Sequence, residues 1–354
     1  MNEERKMILE MLKEGKITVE EASDLLEAIN NKKESFFDNS FTSKITSSVE
    51  KAIRKTAETI GNIDIDNIVN QAGKFSSSFS FQKEDSTKFD DEIEEIEVNI
   101  PNGSIEFNRS YDNYVKVDEI IHFKNKENAS DDVLKIEVID KKLKLFVNDE
   151  FKNNTKAEIE VLLPKKAYRL LEADNKNASF TLNDVDFERV DIKNTNGKIK
   201  VLNSVGEFDL KNVNGSINVV NVNGDCQLET VNGSIAINNV TSANIDSKCV
   251  NGTIRVDELN SSNSFFKSQN GSISISDIKD ASRIEAKTLN GSIKVDTESF
   301  DKDIRAEIKG RNVDFSDKFV NTNRSSGNCT ISTSNENIKL DLKLKTVSGK
   351  VVVK

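Results

Sequence analysis

The stretch Asn214-Gly215-Ser216-Ile217-Asn218-Val219 returns eighteen residues later as Asn232-Gly233-Ser234-Ile235-Ala236-Ile237. One relative precedes the pair, Asn196-Gly197-Lys198-Ile199-Lys200-Val201, and three follow, beginning at Asn251, Asn270 and Asn290. Their glycines, Gly197, Gly215, Gly233, Gly252, Gly271 and Gly291, step by 18, 18, 19, 19 and 20 residues. Weaker echoes open at Gly206 and Gly224, nine residues past a repeat glycine, and more distant relatives at Asn102 and Ser348. A fixed period of this length marks a unit that cannot bury its apolar face alone and does so by stacking on copies of itself.

Within one unit the physics is short. Asn-Gly supplies a turn whose backbone visits positive φ, and the six repeat glycines are the expected turn residues. The residues after it alternate polar and apolar, the period-2 signature of a half-buried strand, with Ile217 and Val219 inward and Ser216 and Asn218 toward water. The same dipeptide can also close a two-residue hairpin and build an antiparallel meander. Near-identity at a fixed step favours stacked coils, because it sets each Ile above the previous one and lets Asn and Ser form ladders. The expected fold is mainly β: a single-chain right-handed β-solenoid, or parallel β-helix, of about 18–20 residues and two or three short strands per coil. The repeat domain is expected over 91–354, with regular coils from about 175 to 300.

Flanking the regular coils, alternation is visible but looser in Ile96–Ile100, Leu134–Val138, Leu143–Val147 and Ile159–Leu162. These strands are expected to cap one end of the solenoid, as repeat arrays need atypical terminal units. The run Ile338-Lys339-Leu340-Asp341-Leu342-Lys343-Leu344 is expected to cap the other, its lysines guarding an open edge.

Residues 1–32 read differently. Met7, Ile8, Met11 and Leu12 lie at helical spacing and Gly15 is placed to end that helix. Thr18 with Glu21 forms a capping box, and Ile17 with Ala22 the matching staple, for a second helix through Leu25, Leu26 and Ile29. A small N-terminal α-helical hairpin is therefore expected, too short to bury its own core and so placed to meet a partner or a second copy. Residues 33–90 read as a polar linker containing one amphipathic helix near 42–60. That helix has four basic and two acidic groups between 44 and 58, enough for weak membrane-surface contact but also for packing on protein. Phe75 to Phe81 is low-complexity and reads as linker.

Composition then excludes chemistries. The 354 residues carry 50 basic and 60 acidic groups, a net charge of -10 that disfavours nucleic acid and suits a cationic partner. The single histidine, His122, removes multi-His metal sites and most His-based catalysis. Cys226, Cys249 and Cys329 are odd in number and have no zinc spacing. Cys226 occupies a slot held by Ile or Phe in neighbouring units and reads as a small core residue. Parallel β-helices can host polysaccharide-cleaving enzymes, which need converging carboxylates. Asp184 and Asp186, two apart, are the obvious pair, yet in so acidic a chain such pairs arise by chance. The nine-residue half-steps lack the paired glycines and aspartate of calcium-binding repeats. No phosphate-binding loop is present. No catalytic, cofactor or metal residue is assigned. Mean hydropathy is -0.52, and without a signal peptide or apolar span the expected location is cytoplasmic, the alternative being surface-associated.

These units resemble the bacterial β-strand-repeat, adhesin-like domain of the DUF4097 type. The opening Leu12-Lys13-Glu14-Gly15-Lys16-Ile17-Thr18-Val19-Glu20-Glu21-Ala22, with Leu25-Leu26, resembles the helical N-terminal domain of YvlB/LiaX-type proteins. The resemblance implies a non-enzymatic binding or regulatory protein of the Gram-positive cell-envelope stress response, with antimicrobial peptides met by the N-terminal part. Residues 1–30 hold eight acidic and four basic groups, in keeping with contact to cationic peptides through the hairpin. The alternative is a homo-oligomeric, self-assembling scaffold or adhesin.

Overall fold

The structure, a computed structural model, describes residues 81–124, 133–325, 327–334 and 337–354, all within the unit Lys74–Lys354. The hairpin expected over 1–32, with Thr18 and Glu21, and the helix expected near 42–60 lie outside the described residues.

Two strand runs alternate along the chain, and each pairs in parallel with the same run one coil away. In the first run, Asp186–Asn196, Glu207–Asn214 and Cys226–Asn232 stack in that order. In the second, Ile199 pairs with Ile217, Ile217 with Ile235, Ile235 with Ile254, Ile254 with Ile273 and Ile273 with Ile293. The coil therefore has two runs. In two places the corner between coils is itself extended, so that Ile235–Asn251 and Ile254–Asn270 are continuous 17-residue strands.

Registration follows from the alternation. A one-residue slip would turn every inward side chain to solvent, so Ile217, Ile235, Ile254 and Ile273 stack at no more than 1% exposure each. The core between the runs is close-packed by complementary volumes. Phe266 is fully buried, and its register partners on either side are Ser247 and Ala286, with Ser264 two residues back on the same strand. Small neighbours make room for one large ring. The cost is that the buried hydroxyls of Ser247 and Ser264 have no hydrogen-bond partner among the described residues.

The ends depart from sequential stacking. At one end, Leu340–Ser348 pairs with Arg283–Asn290 on one edge and with Ile304–Lys309 on the other. Lys350–Val353 likewise lies between Ile293–Val295 and Asn312–Phe315. The chain runs past an open slot and returns to fill it. The stretch expected to cap this end, 338–344, thus contributes an interior strand. Leu/Lys alternation states which side faces the core, not whether an edge is free. The outer cover is instead the antiparallel pair Asn321–Ser325 and Asn328–Ser332, laid on Ile304–Lys309.

The opposite end repeats the device. Glu95–Asn99 sits between Lys142–Val147 and Ala167–Asn183, and Asn102–Ser110 between Thr155–Pro164 and Ala167–Asn183. Antiparallel strands then close the stack: Val115–Phe123 on Thr155–Pro164, Phe81–Phe89 outside it, and Leu134–Ile139 on Lys142–Val147. Phe81–Phe89 falls in the stretch expected to be linker. Its Gln, Lys, Glu, Asp and Ser composition reads as polar chain, and only pairing along Val115–Phe123 makes it a strand.

Candidate binding faces

Each turn asparagine donates its side-chain amide to the one before it. Asn177 bonds Asn102 at 2.9 Å, Asn196 bonds Asn177 at 2.6 Å, and Asn214, Asn232, Asn251, Asn270 and Asn290 continue at 2.8–2.9 Å. Asn102 closes one end on the Lys152 carbonyl at 2.6 Å, and Ser348 holds the position beyond Asn290. A second ladder runs through Asn108, Asn183, Asn203, Asn221 and Asn239 at 2.9–3.1 Å. Its last three members adopt φ of 50–54°, the left-handed conformation that asparagine accepts at modest cost.

The six repeat glycines stand at the turn after the first ladder. Gly197 has φ of +119°, and a Cβ there would lie 2.4 Å from the Ala178 carbonyl oxygen; at Gly215 it would lie 1.8 Å from the Gly197 oxygen. Backbone of successive coils meets here without room for a side chain.

A third column escaped the sequence reading. Two residues before the turn asparagines from Asn196 to Asn290, and before Ser348, a buried side chain donates to the carbonyl of the preceding coil's turn. Asn194 bonds Ala178, Asn212 bonds Gly197, Thr230 bonds Gly215, Cys249 bonds Gly233, Ser268 bonds Gly252, Thr288 bonds Gly271 and Thr346 bonds Gly291, at 2.8–3.1 Å. The recurring small polar residue at that offset was the available signal. Cys249 is thus a thiol in a hydroxyl slot, while Cys226 stacks between Phe208 and Ile245 as a core residue. Burial pushes both thiols up to about 12, so neither is a thiolate nucleophile at neutral pH. Cys329 is also buried, on the strand Asn328–Ser332.

The other single residues are held structurally. Asp184 sits at a corner with φ of 57° and pairs with Arg109 at 3.0 Å. Asp186 accepts from the Val205 amide at 3.0 Å. The pair expected to share a strand face is therefore split by the corner, and its members do not converge. His122 pairs with Glu158 at 3.3 Å. Asp225 loses some solvation, but two bonds from Asn244 and one from the Ala243 amide outweigh that and hold its carboxyl below the usual range. Among the described residues, no group of three or more His, Cys, Asp or Glu is placed to hold a metal ion, and no helix is long and apolar enough to cross a membrane.

What the coils offer outward is two different faces. On the first run, Glu172, Asp191, Asp209, Gln227 and Asp246 form one column. Beside it, Lys193, Lys211, Glu229, Lys248, Lys267 and Lys287 form another. Like charges stacked about 4.8 Å apart repel, and the neighbouring column neutralises them. Lys211 meets Asp209 at 2.7 Å, Lys248 meets Asp246 at 2.7 Å and Glu229 at 3.3 Å, and Lys287 pairs with Glu285. Burial works against the Lys248 charge, but Asp246 and Glu229 outweigh it and hold its pKa above the ordinary lysine value.

On the second run, the outward positions just before the stacked isoleucines read Lys198, Ser216, Ser234, Thr253, Ser272 and Ser292. Those just after read Lys200, Asn218, Ala236, Arg255, Ser274 and Lys294. Neither column contains an acid. At the antiparallel end, a cleft of about 820 Å³ is lined by Glu106, Asp118, Glu158 and Glu160 among others. Half-buried Glu119 also lines it; burial first, then nearby Asp85, raise its pKa.

The Toastrack DUF4097 family model matches residues 93–354, and a SHOCT-like domain model matches residues 3–34. Similar solved structures include a candidate adhesin from Bacteroides fragilis, 13% identical, with 77% of this chain and 97% of that chain covered and a TM-score of 0.33. A candidate adhesin from Parabacteroides distasonis is 13% identical, with 77% and 97% covered and a TM-score of 0.39. A candidate lipid-binding protein from the same organism is 14% identical, with 77% and 94% covered and a TM-score of 0.35. No curated protein matches significantly. With its coils, turn asparagines and every end strand except Phe81–Phe89 inside the matched segment, the chain belongs to the Toastrack DUF4097 family.

Proposed function

We propose that the protein is a non-enzymatic binding scaffold of the bacterial cell envelope, acting in its stress response. The carrying observation is registration. Each outward position recurs about 4.8 Å away in the next coil, so the stack presents rows of side chains suited to an extended partner. In this reading, residues 1–32 are a second recognition element, and their eight acidic against four basic groups within 1–30 favour cationic antimicrobial peptides.

The test is titration of a cationic antimicrobial peptide into the full chain and into a chain lacking residues 1–40, at low and high salt. Saturable, salt-weakened binding that disappears with the deletion is the expected result. Binding to neither chain, or equal binding to both, overturns the peptide-recognition reading. A self-assembling scaffold is the second reading, favoured by the strands Phe81–Phe89 and Asn321–Ser325, each paired along one edge only among the described residues. Mass in solution that rises with concentration would support it.

A further inference from the structure

The second-run outward face has one chemistry. Lys198, Lys200, Arg255 and Lys294 are all exposed and make no ion pair with the described residues, in contrast to the partnered lysines of the first run. Between them lie short hydroxyls at each coil, two of which, Ser234 and Thr253, bond each other at 3.1 Å. No large apolar side chain rises from these two columns. Lys350 extends the row one coil further, where it meets Asp314 at 3.0 Å.

The row has ends. In the column of Lys200, the strand two places below it carries Glu106, and the strand beyond Val352 carries Asp314. Two acids stand one position nearer the corner: Asp257, which accepts from Asn238 at 3.3 Å and Ser276 at 2.9 Å, and Asp296, which accepts from the Glu298 amide at 3.1 Å. Six coil steps from Lys198 to Lys350 give a strip roughly 29 Å long, at about 4.8 Å per step.

We propose that this strip binds a linear, phosphate-bearing polyanion lying along the stack. Charge complementarity selects an anion. The absence of any acid on the strip stands out in a chain of net charge -10. A line of cations several coil steps apart selects an extended chain over a small ion. Unpaired lysine and arginine supply the charge, and serine and threonine hydroxyls supply donors to phosphate oxygens. An anionic membrane is the less favoured occupant, because the only apolar side chains in the two columns, Ala236 and half-buried Val352, are small and far apart. The inference does not depend on residues 1–32 or on the peptide reading above.

Long-chain inorganic polyphosphate is the probe, titrated into the full chain at several salt concentrations. The triple variant Lys200→Asn, Arg255→Ser, Lys294→Ser places on the strip residue types its own column already holds at Asn218 and Ser274, so the coils keep their packing. The control triple Lys211→Gln, Lys248→Gln, Lys287→Gln removes the same charge from the other face. Both are checked for an unchanged urea midpoint. At least tenfold weaker binding is expected for the strip variant, with a log–log salt slope flatter by about 2, and less than twofold change for the control. Equal losses in the two variants, no loss in the strip variant, or no polyphosphate binding by the parent chain would overturn the proposal. Binding of the parent to phosphatidylglycerol vesicles but not to polyphosphate would overturn it in favour of a membrane.

Discussion

Between Ile199 and Val295 each coil pairs with the one that precedes it in the chain, whereas at both ends a coil is slotted between two that are neighbours in sequence. The same alternating strands build both regions. In the middle, the Asn-Gly turn and the 18–20 residue step bring successive coils together with a short connection, so order in space copies order in sequence. At the ends, the slotted strands pair with segments about 36–75 residues away, such as Ile304 with Leu340, Ile293 with Val351 and Phe180 with Ile105. Closing such loops costs more entropy, and the contacts that repay it form only when the distant segment arrives. Local period sets the rise of a coil; long-range closure decides where a stack stops.

Removal of residues 340–354 should produce the largest effect. Leu340, Leu342, Leu344, Val351 and Val353 are each no more than 1% exposed. At roughly 1.5–3 kcal/mol per buried side chain the loss is about 8–15 kcal/mol, an upper estimate comparable to the whole stability of a domain. Urea unfolding should become broad and begin in buffer. A sharp transition at the parental midpoint would mean instead that Ile304–Lys309 closes directly on Arg283–Asn290, and that the two regions are interchangeable.

A smaller contrast lies in single side chains. Phe266→Ala should cost about 3–5 kcal/mol, because its neighbours Ser247, Ser264 and Ala286 are too small to fill the space. Phe315→Ala, on the half-buried outer strand Asn312–Phe315, should cost less than half of that. Equal shifts in urea midpoint for the two would deny that the middle is the more tightly packed region.

The mildest change is at the ladder. Asn232→Ala removes two side-chain bonds, to Asn214 and from Asn251, and should cost about 1 kcal/mol since the row is exposed. Asn290→Ala removes only the bond to Asn270 and should cost about half as much. Amide exchange at the flanking turns should rise in the same order.

Much of this was legible beforehand because Ile217, Ile235 and Ile254 repeat at a step that only stacking satisfies. The slot of Cys226 was readable for the same reason. The role of Cys249 was not: its neighbours in register are Thr230 and Ser268, and their shared carbonyl acceptor exists only once coils are stacked. The strand Phe81–Phe89 was hidden because its sequence lacks alternation, its strand state coming from the partner Val115–Phe123. Asp184 and Asp186 looked paired because the corner between them, at positive φ, has no sequence mark of its own.

The sequence by itself determined the coil: its length, its inward and outward sides and its turn residues, since these depend on chemistry repeated every 18–20 residues. Tertiary structure alone decided the order of coils at the two ends, which lysines find a carboxylate and which stand free. Those depend on contacts between residues far apart in the chain, where one alternating strand fits an interior slot as well as an edge.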